Sequence, residues 1–342
     1  MFEAVVTLCL GLANAECADR LLPGYEAATL EGCDAALQAR TPSIPGGADG
    51  SPRCVPSGPT LSILEVAPGV FVHVGLIEEP SPGNDGDVSN SGFVVGRDSV
   101  AVIDAGGSRL AGEGLWRAVR AETDLPVSHV LLTHMHPDHI FGASVFTEAG
   151  AEVVGHADLP RALADRASTY VTSFERLVGS SFAGSAIPKV SVTIADPTEI
   201  DLGDRTLIVE PWPVAHTGTD MTVFDRATGV MFLGDLLFDE HTPSLDGSLK
   251  GWKGVLTDLT FRELEVVVPG HGAASLDWPE GAANLERYLS VLESDTRDAI
   301  ERGDRIGDAI QTIAADEATR WSLFDAYNPR NATVAWTELE WE

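Results

Sequence analysis

The sequence predicts an α/β protein: a sandwich of two sheets covered by helices on both sides, preceded by a small four-cysteine module. Three observations predict it. Strand-length apolar runs joined by helical stretches occur twice along the chain. Histidines and aspartates gather where those strands stop, which is where α/β folds place their chemistry. The four cysteines, Cys9, Cys17, Cys33 and Cys54, all precede the first of these runs.

A chain of 342 residues can hold one large α/β domain plus an appendage. It carries 52 acidic and 22 basic residues, for a formal net charge of -30. Such a surface repels phosphate backbones, which excludes nucleic acid as a general partner. No apolar run approaches the length that crosses a bilayer, so a membrane span is not expected.

The cysteine module is assigned to residues 1–40. Residues 4–12 are apolar and Ala13-Asn14-Ala15 resembles a signal-peptide cleavage site. However, Glu3 sits where positive charge belongs, and cleavage after Ala15 would remove Cys9 and leave an odd cysteine. Residues 2–10 are therefore expected as a strand of the module. Two disulfides are expected, with three connectivities open, and they point to an exported, periplasmic setting. The alternative is four reduced thiols. Residues 41–60 are dense in Pro, Gly and Ser and are expected as a linker.

The main domain is assigned to residues 61–342. Strands are expected at 62–67, 70–74, 92–95 and 100–104, then a helix at 109–122 from the spacing of Leu110, Leu115 and Val119. A buried strand at 129–132 runs into Thr133-His134. Helices follow at 140–149 and 159–177, with a strand at 152–154 between them. Strands return at 190–194, 206–210, 221–224 and 230–233. Residues 276–313 look helical, and the tail 327–342 is expected to be irregular or strand-like.

The strongest signal is Thr133-His134-Met135-His136-Pro137-Asp138-His139. Three imidazoles and a carboxylate at the end of an apolar strand converge only in a tight loop, and that donor set suits Zn(II), with Fe(II) or Mn(II) also accommodated. His216, Asp235 and His271 each follow or end an apolar run further along. Five of the nine histidines fall in this set.

Residues 134–139, with His216, Asp235 and His271, resemble the metallo-β-lactamase superfamily and its His-x-His-x-Asp-His loop. The resemblance implies an αββα sandwich holding two metal ions. It gives His134, His136 and His216 to the first metal, and Asp138, His139 and His271 to the second. Asp235 would bridge both, and Asp104 would orient a ligand histidine from behind. Two divalent ions acidify a shared water and polarise a scissile carbonyl or phosphoryl oxygen. Asp138 would also orient the attacking water. An aspartate at 235 resembles the glyoxalase II and general hydrolase branches, whereas true β-lactamases usually carry cysteine or serine there. His136 in place of glutamate argues against the diiron oxygen-reducing branch.

More of the chain resembles the quinoprotein relay system zinc metallohydrolases, through Asp235-Leu236-Leu237-Phe238, His241-Thr242-Pro243, residues 246–252, Asn328-Pro329-Arg330-Asn331 and residues 338–342. The resemblance implies a pyrroloquinoline-quinone (PQQ)-dependent dehydrogenase or cytochrome as partner, without naming a substrate. Residues 238–252 follow a ligand and should line the cleft. Within them His241 is a substrate contact, a proton donor or a histidine bonded within its loop. Lys250 is an anion contact or a solvated lysine, and Trp252 a substrate contact or a packing residue. His73, His129 and His156 are read as structural. The function expected is a zinc-dependent hydrolase of a small ester, thioester, lactone or phosphoester. The alternatives are a mononuclear iron sulfur dioxygenase and a non-catalytic binding or maturation factor for a quinoprotein. Metal analysis with oxygen uptake separates the first two, and a metal-free pull-down tests the third.

Overall fold

A computed structural model describes residues 1–10, 17–42 and 48–342. The sequence Ala13-Asn14-Ala15 lies outside the described residues. Three antiparallel strands open the fold: β1 (Phe2–Cys9), β2 (Cys17–Ala27) and β3 (Ala48–Pro56), with β1 in the centre. Helix α1 (Leu30–Ala39) packs on them, its first turn capped by the Thr29 hydroxyl. Disulfides Cys9–Cys17 and Cys33–Cys54 settle the connectivity, joining β1 to β2 and α1 to β3.

The stretch expected as a linker, 41–60, therefore holds a strand. Its composition misleads because β3 is an edge strand with a register shift opposite Val5 and Thr7, where proline and glycine are tolerated. Pairing with β1 and the bond from Cys54 to Cys33 supply the order that the local sequence lacks.

The first large sheet holds β4 (Leu64–Ala67), β5 (Val70–His73), β6 (Ser91–Val95), β7 (Val100–Ile103), β8 (Val127–Leu131), β9 (Glu152–His156) and β10 (Val192–Ile194), neighbouring one another in chain order. The second holds β11 (Thr198–Asp201), β12 (Thr206–Pro211), β13 (Met221–Asp225), β14 (Val230–Phe238), β15 (Val266–His271) and β16 (Leu276–Asp277), also in chain order. Val72, Ile103 and Leu131 of the first sheet meet Val209, Val223 and Phe232 of the second in one apolar layer.

Helices α2 (Arg109–Glu122), α3 (Pro137–Ile140), α4 (Ala143–Glu148) and α5 (Leu159–Val178) belong to the first half of the main domain. Leu115, Phe146 and Leu163, from α2, α4 and α5, cover the outer face of the first sheet. Helices α6 (Leu249–Thr260), α7 (Ala283–Glu301), α8 (Ile306–Ala309) and α9 (Phe324–Leu339) belong to the second half. Trp252, Leu289 and Trp336 of α6, α7 and α9 cover the outer face of the second sheet. The result is the expected αββα sandwich.

The tail is the clearest departure. Residues 324–339 form a helix in place of an irregular or strand-like segment. Asn328, Asn331, Ala332, Ala335, Trp336 and Leu339 are buried at helical spacing. The Tyr288 hydroxyl donates to Asn328, and Asn331 donates to Tyr288 and to the Pro243 carbonyl. Packing and these bonds override Pro329 and the β-branched residues around it. The helix expected at 140–149 is present in shorter form as α4, and the single turn of α3 precedes it.

Buried ion pairs tie the cysteine-bearing strands to the sandwich. Arg117 on α2 grips Glu3 of β1 through two bonds of 2.9 and 2.7 Å. Arg109 binds Glu148 bidentately and donates to the Leu21 carbonyl, while Glu113 accepts from the Leu21 amide. Arg20 reaches the carbonyls of Ser180 and Ala183 just beyond α5.

Candidate metal centre

The site forms on one side of the sandwich, where β7, β8 and β15 end, β14 passes and the loop between β12 and β13 turns. Asp104, just after β7, adopts φ 54°, an uncommon conformation for a residue other than glycine. Its carboxylate accepts the Thr133 amide at 2.8 Å, the Thr133 hydroxyl at 2.7 Å and His139 Nδ1 at 2.8 Å. These bonds fold the loop after β8 so that His134, His136, Asp138 and His139 converge. Asp220 holds the second loop by accepting the Thr217 amide and hydroxyl, beside His216. On the neighbouring strand, Gly270 leaves room for Asp235, since a Cβ there would lie 1.9 Å from its Oδ1.

Two groups result. His134, His136, His216 and Asp235 each offer a ligand atom within 4.8 Å of the others, and so do Asp138, His139 and His271. In the first, His216 Nε2 lies 3.0 Å from His136 Nδ1 and 3.3 Å from Asp235 Oδ2. In the second, His271 Nε2 lies 3.4 Å from Asp138 Oδ2 and from His139 Nε2. Asp235 touches both groups: Oδ2 is 3.6 Å from His134 Nε2 and 3.5 Å from His271 Nε2, and Oδ1 is 3.2 Å from His139 Nε2.

The outward ring nitrogens determine which nitrogen faces in. His216 Nδ1 donates to the Ser244 carbonyl and His271 Nδ1 to the Val88 carbonyl, so each leaves Nε2 inward as the atom that could bind a metal. His139 Nδ1 is held by Asp104. His136 points Nδ1 inward, with its Nε2 3.3 Å from Asp246 Oδ2. Asp246 in turn pairs with Arg166 at 3.1 Å.

Among protein groups alone the cluster is electrostatically incomplete. Burial pushes His134 well below the ordinary histidine value and His216 down to about 3. Burial also opposes charge on His271, yet Asp235 and Asp138 lift it to about 9. His134 Nε2 and Asp235 Oδ1 are buried without a hydrogen-bond partner, a costly arrangement that a cation relieves. Inward ring nitrogens, a shared carboxylate and these unpaired atoms fit divalent metal with nitrogen and oxygen ligands.

Residues 84–271 match the sequence model of the metallo-beta-lactamase superfamily. The chain belongs to this superfamily. Its members among solved structures share the fold at low identity. A metallo-beta-lactamase from Pontibacter korlensis has a TM-score of 0.53 at 21% identity, covering 68% of this chain and 99% of that one. A metallo-beta-lactamase family protein from Thermus thermophilus has a TM-score of 0.59 at 18% identity, covering 81% and 94%. A beta-lactamase domain protein from Burkholderia ambifaria reaches 0.60 at 18%, covering 83% and 89%. An uncharacterized protein of Mycobacterium leprae (strain TN) is 29% identical over 185 residues, which is 52% of this chain and 82% of the relative. Metallo-β-lactamase family, fold and His/Asp cluster together make the protein a metal-dependent hydrolase.

The metallo-β-lactamase cluster opens into a cleft of about 450 Å³. His136, Asp138, Asp235 and His271 lie on its floor, with His241, Tyr327 and Arg330 among its walls. His241 donates Nδ1 to the Thr242 carbonyl and packs against His271 and Tyr327. Two expected cleft residues are elsewhere. Trp252 is fully buried, stacked edge-on against His216 with its indole N–H on the Leu236 carbonyl. Lys250 points to Glu342 on the surface. Residue order alone misled here: α6 begins at Leu249 and carries both away from the cleft. Conversely, Tyr327, Arg330, Asp246 and Arg166 carry no individual signal in the sequence. Asp246 and Arg330 sit in stretches noted for their resemblance, but only the fold brings them to the site. His129 and His156 lie near Glu152 and Asp158, outside the cluster.

Among the described residues no helix is long and apolar enough to cross a membrane. The two disulfides are of the kind that persist in an oxidising compartment.

Proposed function

We propose that the protein is a binuclear zinc hydrolase acting on a small ester, thioester, lactone or phosphoester. The single observation that carries the reading is Asp235, whose carboxylate lies within 3.6 Å of imidazoles from both groups. His134, His136 and His216 would hold one ion, Asp138, His139 and His271 the other, with Asp235 shared. When bound, the two ions supply Lewis acidity, polarise the scissile carbonyl or phosphoryl oxygen and acidify water.

The remaining steps fall to the chain's own residues. Asp138, partly exposed at the cleft floor, orients the attacking water and accepts its proton. His241 contacts the substrate as an acceptor. Its N–H is committed to Thr242, and burial lowers it to about 4, so the ring is neutral at pH 7 and has no proton to give. Asp104, Thr133 and Asp246 keep the ligand rings oriented. Phe238, stacked on His271 at 5.0 Å, keeps water from that ring.

A complete second group weighs against a mononuclear iron dioxygenase. We further propose a periplasmic setting beside a PQQ-dependent dehydrogenase or cytochrome. The two disulfides and the resemblance of residues 235–252 and 328–342 support it. The test is metal quantification on purified protein with a screen of ester, thioester, lactone and phosphodiester substrates. Two zinc ions and chelator-sensitive hydrolysis are expected. One iron with oxygen uptake on a persulfide would overturn the reading.

A further inference from the structure

We propose that the metal cleft selects a substrate with an apolar body and a carboxylate or phosphate group, and that Arg176 and Arg330 bind that anionic group. The proposal rests on the hydrolase reading only for the bond that is cut.

In a chain of 52 acidic residues an arginine rarely stays unpaired. Arg166, Arg262 and Arg287, for example, hold Asp246, Glu210 and Glu317. Among the described residues, the arginines with neither an ion pair nor a side-chain hydrogen bond are Arg176, Arg305 and Arg330. Arg176 and Arg330 line the same cleft as Asp138, Asp235 and His271. They enter it from opposite layers of the sandwich, Arg176 from α5 and Arg330 from α9.

The cleft's own acids do not engage them. Glu78 accepts from the Asn84 amide, and Glu79 lies close enough to the Tyr327 hydroxyl to raise its pKa. Arg330 lies over the Tyr327 ring, 5.8 Å from its centroid, and Tyr327 meets His241 edge-on. That contact holds the guanidinium beside the ring while leaving its N–H donors free. A guanidinium so placed matches a carboxylate or phosphate through two parallel bonds. Pro80, Val88, Phe174, Leu177 and Phe238 line the remainder and suit an apolar body. A net charge of -30 repels anions at long range, so a cleft that admits one needs local positive charge of this kind.

The test uses metal-loaded protein and two matched esters, neutral 4-nitrophenyl acetate and the mono-4-nitrophenyl ester of glutarate. Calorimetric titration with glutarate and with inorganic phosphate gives a readout independent of turnover and separates the two anions. Arg176→Ala and Arg330→Ala are expected to weaken one or both anions about tenfold. They should lower kcat/KM on the glutarate ester equally, through KM, while the neutral ester stays within about twofold. Arg305→Ala is the control and should change nothing. Equal losses on both esters, or unchanged affinity for both anions in both variants, would overturn the proposal. If neither ester is cleaved but anion affinity falls in the variants, the ester branch of the hydrolase reading fails and the anion site stands.

Discussion

Asp104 and His139 are joined beneath the metal cluster by a 2.8 Å hydrogen bond from imidazole Nδ1 to carboxylate Oδ2. The bond places a proton on Nδ1 and so a lone pair on Nε2, which faces Asp235, Asp138 and His271. Because the same carboxylate also accepts from Thr133, one residue sets both the loop's shape and the tautomer of a cluster histidine.

Asp104→Asn tests that coupling. Asparagine tolerates the positive φ and can still accept from the Thr133 amide, but its NH2 repels His139 Nδ1–H. The expected outcome is about 10- to 100-fold weaker binding of the metal at Asp138, His139 and His271, with the other ion retained. Competition titration with a chromophoric chelator measures it. Two ions held with unchanged affinity would show that Asp104 serves the loop alone.

Asp235→Asn should also weaken the second ion more than the first, because His134, His136 and His216 remain. Activity should fall by orders of magnitude while the fold survives, since the change is nearly isosteric. Metal content by mass spectrometry alongside circular dichroism checks both. Retention of two tightly held metals and full activity would remove the shared-carboxylate assignment.

His241→Ala should leave metal content untouched and alter turnover alone. Its ring borders the cleft and packs on His271, with its N–H tied to its own loop. Loss of a metal on this substitution would place it among the ligands' supports instead.

His73 gives a pH-dependent contribution to stability. Burial opposes its charge, but Asp87 at 2.8 Å and the Ser62 carbonyl raise its pKa above the ordinary 6.5. A raised folded value means the stabilisation is full below about pH 6.5 and fades as pH climbs through the folded pKa. Denaturant unfolding from acidic to mildly alkaline pH should show His73→Gln losing most stability at the acidic end. An equal loss at both ends would show that the pair is not charged.

The disulfides should map as Cys9–Cys17 and Cys33–Cys54 in non-reducing peptide mass spectrometry. Reduction should destabilise the leading strands by about 2–4 kcal/mol per bond. Any other pairing would contradict the strand order β2-β1-β3.

The His/Asp cluster was legible because four of its members are packed into residues 134–139, and chance rarely produces that spacing. Strands such as β5 and β7 and helix α2 were legible for the same reason: their apolar period is local. The tail was not, because α9 owes its helix to Tyr288, from a distant segment, bonding Asn328 and Asn331. Trp252 and Lys250 illustrate a third limit. Proximity to Asp235 in sequence says nothing about which way a new helix turns, and α6 turns Trp252 behind His216. The disulfide pairing likewise needed three-dimensional distances.

The ion pair of Glu3 with Arg117 and the bond from Arg109 to the Leu21 carbonyl tie the leading strands to the rest. A trimmed protein starting near Leu61 would leave Arg117 only Glu113, at 3.5 Å, and Glu113 would lose the Leu21 amide it accepts. Leaving a buried polar group without its partner costs about 1–3 kcal/mol, a sizeable share of the roughly 5–15 kcal/mol that holds a domain folded. The minimal fragment suggested by the superfamily match, residues 84–271, is therefore not a shortcut to a small catalyst. The cysteine-bearing strands and the metal layers should melt together, as one calorimetric transition, or not fold at all.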